Sequence, residues 1–188
     1  YVMREPLAVI RKKMDRLTFY KSFYETELKK KYDLDKSINN PILIITIIFG
    51  IISYISQKMN FESLYKTDIL IVVLILVISI LLCKSIFHII LSYNNGIKGY
   101  NYQILGTNTD FESYRKKLIE YNQIEGIDTN SEKEFEESII TELIKCSDIN
   151  NELNIERTYQ IYLTKKYLII SLIIAFMTFI IHLLKQIL

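Results

Sequence analysis

The sequence is poor in the residues from which most catalytic and metal sites are built. It has two cysteines, Cys83 and Cys146, and two histidines, His88 and His182. Two isolated cysteines make neither a disulfide framework nor a zinc site. Cys83 lies within an apolar run and reads as a small hydrophobe. No nucleophile stands with a base, no metal-ligand cluster is present, and no glycine-rich phosphate loop follows a strand. The expectation is a protein that is not an enzyme and carries no cofactor. Glycine and proline are also scarce, at five and two, and neither occurs from Ile127 to Leu188. A net charge of +2 is too small to imply nucleic-acid binding by itself. The chain starts on Tyr1 rather than methionine, which leaves room for upstream residues.

Half of the residues are hydrophobic, and they are gathered into three runs. The first is Pro41 to Ser56, closed by Gln57 and Lys58. The second is Ile69 to Leu91, interrupted by Lys84 and His88. The third is Tyr167 to Leu184, with Lys185 just beyond. Crossing the ~30 Å hydrocarbon layer takes roughly 20 mostly apolar residues. A soluble domain of this size has too little polar material to cover three such helices. The first run is not a cleaved leader, because it lies behind a long charged segment and no small-residue cleavage site follows it. The fold class expected is therefore all-α: an integral membrane protein with three transmembrane helices plus cytoplasmic amphipathic helices. The divisions are an N-terminal segment 1–40, a hairpin 41–93 with spans 41–57 and 69–91, a helical region 94–166, and a third span 167–188.

Charge sets the expected orientation. Residues 1–40 carry ten Lys and Arg, whereas the loop between the first two spans has only Lys58 and Lys66. The positive-inside rule places the N-terminus in the cytoplasm. Lys165 and Lys166 then flank the third span on the same side, and the C-terminus lies outside.

Leu7, Ile10, Met14, Leu17, Tyr24 and Leu28 recur at three-four spacing, with Lys21 as the exception, which predicts an amphipathic helix over 7–34. Pro6 suits its first turn. Packing on this protein's own cytoplasmic core or on a neighbouring subunit is one reading of that helix. A membrane-surface role for its basic face is the other. Glycines and asparagines over 93–109 indicate turns. A helix is expected from Asp110 to about Asn122, with Thr109 and Glu112 as its capping box. Ser131 and Glu134 give a second box, opening a helix that runs into the third span. Unbroken from Glu132, it would be roughly 85 Å long.

Small and polar residues form one stripe on each of two spans. Thr46, Gly50, Ser53 and Gln57 are spaced four, three and four, and Ser171, Ala175, Thr178 and His182 repeat that spacing. At about 100° per residue each set lies along one helix face. Such stripes serve close helix packing or line a water-filled path in an oligomer, where polar side chains escape lipid. Lys84 and His88 lie one turn apart near the inner end of the second span. Lys84 either snorkels to the headgroups or, with His88, forms a charged ring at a pore's inner mouth. Arg115, Lys116 and Lys117, and separately Arg157, are candidate contacts for an anionic ligand.

Asn150, Asn154 and Arg157 ahead of the third span have a spacing that resembles small bacterial membrane proteins of unassigned role. The order of elements resembles membrane effectors of bacterial antiphage systems, of the SLATT type and the channel-effector type of the Hailong system. That resemblance implies an oligomeric pore in the bacterial inner membrane. It would respond to a nucleotide or short oligonucleotide made by a partner nucleotidyltransferase, and would depolarise the cell in an abortive infection. The partners implied are the lipid bilayer, further copies of the chain and that ligand. The competing expectation is a non-pore scaffolding subunit that docks a cytoplasmic partner.

Overall fold

The computed structural model describes residues 15–59, 66–93, 99–126 and 130–187. These residues form five α-helices and no strand: α1 (Arg16–Lys36), α2 (Asn39–Lys58), α3 (Lys66–Ser92), α4 (Asn108–Ile124) and α5 (Ser131–Ile187). Three stretches are long and apolar enough to cross a membrane, carried by α2, α3 and the second part of α5. Leu7, Ile10 and Met14 of the expected N-terminal helix lie outside the described residues, as do Gly96, Asp128 and Thr129.

The chain divides into two compact units whose borders fall inside helices. One comprises Tyr1–Lys30 and Asn101–Glu152, the other Lys31–Tyr100 and Leu153–Leu188. In the first unit, Tyr24 of α1 packs with Leu143 and Cys146 of α5, joined by Leu17, Leu28, Leu105 and Ile139. The apolar face of α1 is therefore used for internal packing. Tyr24 also accepts a hydrogen bond from the Leu105 amide at 3.2 Å. Asn150 binds both backbone groups of Gln103, accepting from its N–H at 2.8 Å and donating to its carbonyl at 3.0 Å. These bonds hold the extended segment before α4 against α5 with its polar backbone satisfied.

Both helix starts in this unit differ from the capping boxes expected. Thr107, not Thr109, caps α4, and its partner is Asp110 rather than Glu112. The three-residue spacing is right but the register is two residues earlier. For α5 the cap is Asn130, whose side-chain oxygen accepts from the amides of Glu132 and Lys133. Ser131 and Glu134 instead both accept from the buried Asn122 amide, at 3.1 and 3.0 Å. Gly126 ends α4 with a φ of 61°, a left-handed residue of the kind that closes many helices.

In the second unit, α1 gives way to α2 at Ser37 and Ile38. Pro41 explains the break, since it has no N–H to offer the carbonyl four residues earlier. Helices α2, α3 and α5 pack around Ile48, Ile78, Leu82, Leu168 and Ala175. A second cluster holds Ile55, Met59 and Ile71. On α5 the buried positions of this unit are Asn154, Arg157, Ile161, Thr164, Leu168, Ser171, Ala175, Thr178 and His182. That alternation of three and four is the seam of a coiled-coil-like contact.

The unit is sorted inside out relative to a water-soluble domain. Ser85, Thr164, Ser171 and Thr178 are buried, while Leu43, Phe49, Leu76, Ile80, Phe87, Ile173 and Phe176 are exposed. Monomeric soluble proteins rarely show contiguous apolar faces on this scale.

Candidate functional site

Within the second unit the two stripes have opposite fates. Ser171, Ala175, Thr178 and His182 are all buried, the first three completely so. Ser171 and Thr178 donate to the carbonyls of Tyr167 and Ile174 on their own helix, both at 2.7 Å. Their hydroxyls are thereby satisfied one turn back, and their small size allows α2 and α3 to approach. The α5 set is thus buried where this helix packs with α2 and α3.

Thr46, Gly50, Ser53 and Gln57 are all exposed on the outer face of α2. Apart from its chain neighbours and the nearby backbone of α2 itself, no atom lies within 4 Å of where a Cβ on Gly50 would sit. Gln57 donates to the Ser53 hydroxyl at 3.3 Å, and Thr46 donates to the Ile42 carbonyl at 3.0 Å. Gln57 retains an amide N–H and a carbonyl beyond that bond. The two stripes thus do not form a common channel within one subunit. Only that of α2 is available to a neighbour or to water.

Each end of the unit is tied by an ion pair that the sequence motifs did not reveal. Arg157 of α5 is fully buried. Its Nε donates to the Ser92 carbonyl at 2.8 Å and a terminal nitrogen pairs with Asp35. Its guanidinium lies 5.6 Å from the Tyr100 ring centre, within cation–π reach. This placement corrects its reading as a ligand contact, because its hydrogen bonds go to protein groups and solvent does not reach it. At the other end, Lys185 pairs with Asp68, whose side chain is 1% exposed. His182 lies nearby, its ring 6.3 Å from that of Tyr54 and its Nε2 3.1 Å from the Gln186 amide.

Lys84 and His88 meet α5 side by side. The Lys84 ammonium sits over the Tyr167 ring at 5.7 Å, and His88 stacks on the same ring at 5.6 Å. His88 Nδ1 lies 2.7 Å from Gln160 Oε1. Tyr167 thus organises both groups, which sequence spacing alone could not indicate.

The basic run of the first unit is largely neutralised. Arg115 pairs with Glu112 at 3.1 Å and also with Glu132. Lys116 lies 3.9 Å from Glu112, and Lys117 is exposed. A groove of about 460 Å³ beside them is lined by Asp110, Phe111, Tyr114 and Glu142 among others, and contains none of the three bases. Among the described residues, no three of His, Cys, Asp and Glu gather as a metal site.

Two carboxyls here are held below the ordinary range. Asp110 accepts from the Thr107 hydroxyl at 2.7 Å and its amide at 3.0 Å, the side-chain bond having the larger effect. Glu112 is lowered chiefly by its hydrogen bond from Arg115. A depressed folded-state pKa contributes stability above the unfolded value, near pH 4, that is lost as pH falls through the folded value. Thermal unfolding in detergent at pH 7 and pH 3 should show this loss. Thr107→Val should be less stable at pH 7 and should lose less on acidification, because the Asp110 part of the linkage is gone. An unchanged pH dependence in Thr107→Val would exclude the cap as its source.

The fold and its polar face define an all-helical protein with three helices capable of spanning a bilayer. No protein-family model, curated protein or solved structure matches the chain.

Proposed function

We propose that this chain is inserted in the bacterial cytoplasmic membrane, N-terminus inside, as the subunit of a homo-oligomeric ion channel. The α2 stripe would line the conducting path. The observation that carries this reading is the outward exposure of Thr46, Gly50, Ser53 and Gln57 on a helix otherwise faced with Ile, Leu and Phe. Lipid cannot satisfy the remaining groups of Gln57, and a ring of copies enclosing water can. The inside-out sorting of the second unit supports insertion. The layout resemblance to antiphage effectors supports a gate operated by a nucleotide or oligonucleotide signal, with depolarisation of an infected cell as the outcome.

A scaffolding subunit without a pore is the second reading. The open space at Gly50 favours it, since a neighbouring backbone could approach there. Liposome ion flux separates the two. In the channel reading, signal-dependent flux appears, and Gln57→Leu lowers it about tenfold while the oligomer persists. In the scaffold reading, liposomes stay tight with or without the signal, and Gln57→Leu changes only oligomer stability.

A further inference from the structure

Where α1 meets α2, opposite the last turn of α3, lies a cavity of about 510 Å³ within the second unit. Its lining is divided by chemistry. Ile38, Ile42, Ile89 and Ile90 form an apolar wall, and Lys36, Asn39 and Tyr93 stand with Asp35 as its polar part. The Asp35 carboxylate is already matched by the buried Arg157. Lys36 is exposed, and no described carboxylate lies within ion-pair distance of it. The polar part therefore offers one uncompensated cation beside two neutral hydrogen-bonding side chains. In the proposed orientation this is the level of the inner-leaflet headgroups, where amphipathic side chains and lysines gather.

We infer that the cavity is a binding site for an anionic phospholipid of the inner leaflet. The phosphate is held at Lys36, with Asn39 and Tyr93 as hydrogen-bond donors, and an acyl chain runs along Ile42, Ile89 and Ile90. A lone lysine at this depth favours an anionic over a zwitterionic headgroup. The apolar wall separates this site from general attraction to the basic N-terminal segment, which needs no cavity. The inference rests on membrane insertion and orientation and is independent of ion conduction.

The chain has no tryptophan, so one introduced indole reports on its own surroundings. Tyr93→Trp places it in the cavity and Phe49→Trp on an exposed apolar position outside it. Each full-length variant is reconstituted into phosphatidylcholine vesicles containing a small fraction of acyl-brominated phosphatidylglycerol or acyl-brominated phosphatidylcholine. Fluorescence of the Tyr93→Trp variant should be quenched at least threefold more efficiently by the brominated phosphatidylglycerol, and that of the Phe49→Trp variant equally by both lipids. Adding Lys36→Gln should abolish the preference in the Tyr93→Trp background. Ile42→Trp serves as the cavity reporter if Tyr93→Trp does not fold. Equal quenching of the cavity reporter by both lipids, or a preference that survives Lys36→Gln, overturns the site. Failure of membrane insertion is a different result, with neither the cavity indole nor the outer one quenched by any brominated lipid.

Discussion

Replacing Arg157 with alanine should lower stability by about 3 kcal/mol, near the lower end of the ~3–5 kcal/mol cost of breaking a buried ion pair. The guanidinium is fully buried, so all its hydrogen bonds are made to protein. Its removal leaves the Ser92 carbonyl without its donor and Asp35 without its cation. Asp35 is about one-third exposed, and water recovers part of its loss. For a chain of this size ~3 kcal/mol corresponds to a fall in Tm of roughly 6–12 °C. Arg157→Lys should fall between, because an ammonium cannot reproduce the guanidinium's fixed fork. Thermal unfolding in detergent measures both. A variant that kept its Tm and lost only its response to a ligand would restore Arg157 to the role of ligand contact.

The Asp68–Lys185 pair should behave asymmetrically. Lys185→Met takes the lysine's charge away from a carboxylate that is 1% exposed, at a cost of about 3–5 kcal/mol. Asp68→Asn leaves an ammonium that is 31% exposed and can swing its long stem toward water, so its cost is about 1–2 kcal/mol. The double variant should be more stable than Lys185→Met alone, since it removes the buried carboxylate charge as well. Three unfolding curves and the wild type complete the cycle. Equal costs for the two single changes, or strict additivity in the double, would mean that the pair does not hold the ends of α3 and α5 together.

Much of this architecture is legible in the sequence because hydrophobic periodicity reports it directly. The runs at 41–56, 69–91 and 167–184 fall inside α2, α3 and α5. The absence of Gly and Pro after Ile127 corresponds to one helix from Ser131 to Ile187. What periodicity cannot report is which way a stripe faces. The sets at 46–57 and 171–182 have the same spacing and similar composition, yet only the second is buried. The difference lies in the partners: Ile48 and Ile55 bring the opposite face of α2 inward. Cap register was also missed, because Thr107, Thr109, Asn130 and Ser131 are all competent caps and only three-dimensional packing selects among them. The ion pairs join residues more than a hundred positions apart. Their signal was nevertheless present: Asp68 is the lone acid opening a span and Lys185 the lone base closing another.

The exposed stripe of α2 as a water-facing surface is tested most directly by cysteine accessibility in intact membranes. Cys83 is exposed and is replaced by serine; Cys146 is buried, and burial raises its thiol pKa, which keeps it unreactive. Single cysteines are placed at 46, 50, 53 and 57, at exposed apolar positions 47 and 49, and at packed 171 and 178, then treated with a charged thiol reagent under the conditions in which flux is observed. Modification at 46, 50, 53 and 57, with 47, 49, 171 and 178 unreacted, is the expected pattern. Protection of the α2 stripe to the same degree as Ile47 and Phe49 would contradict the channel.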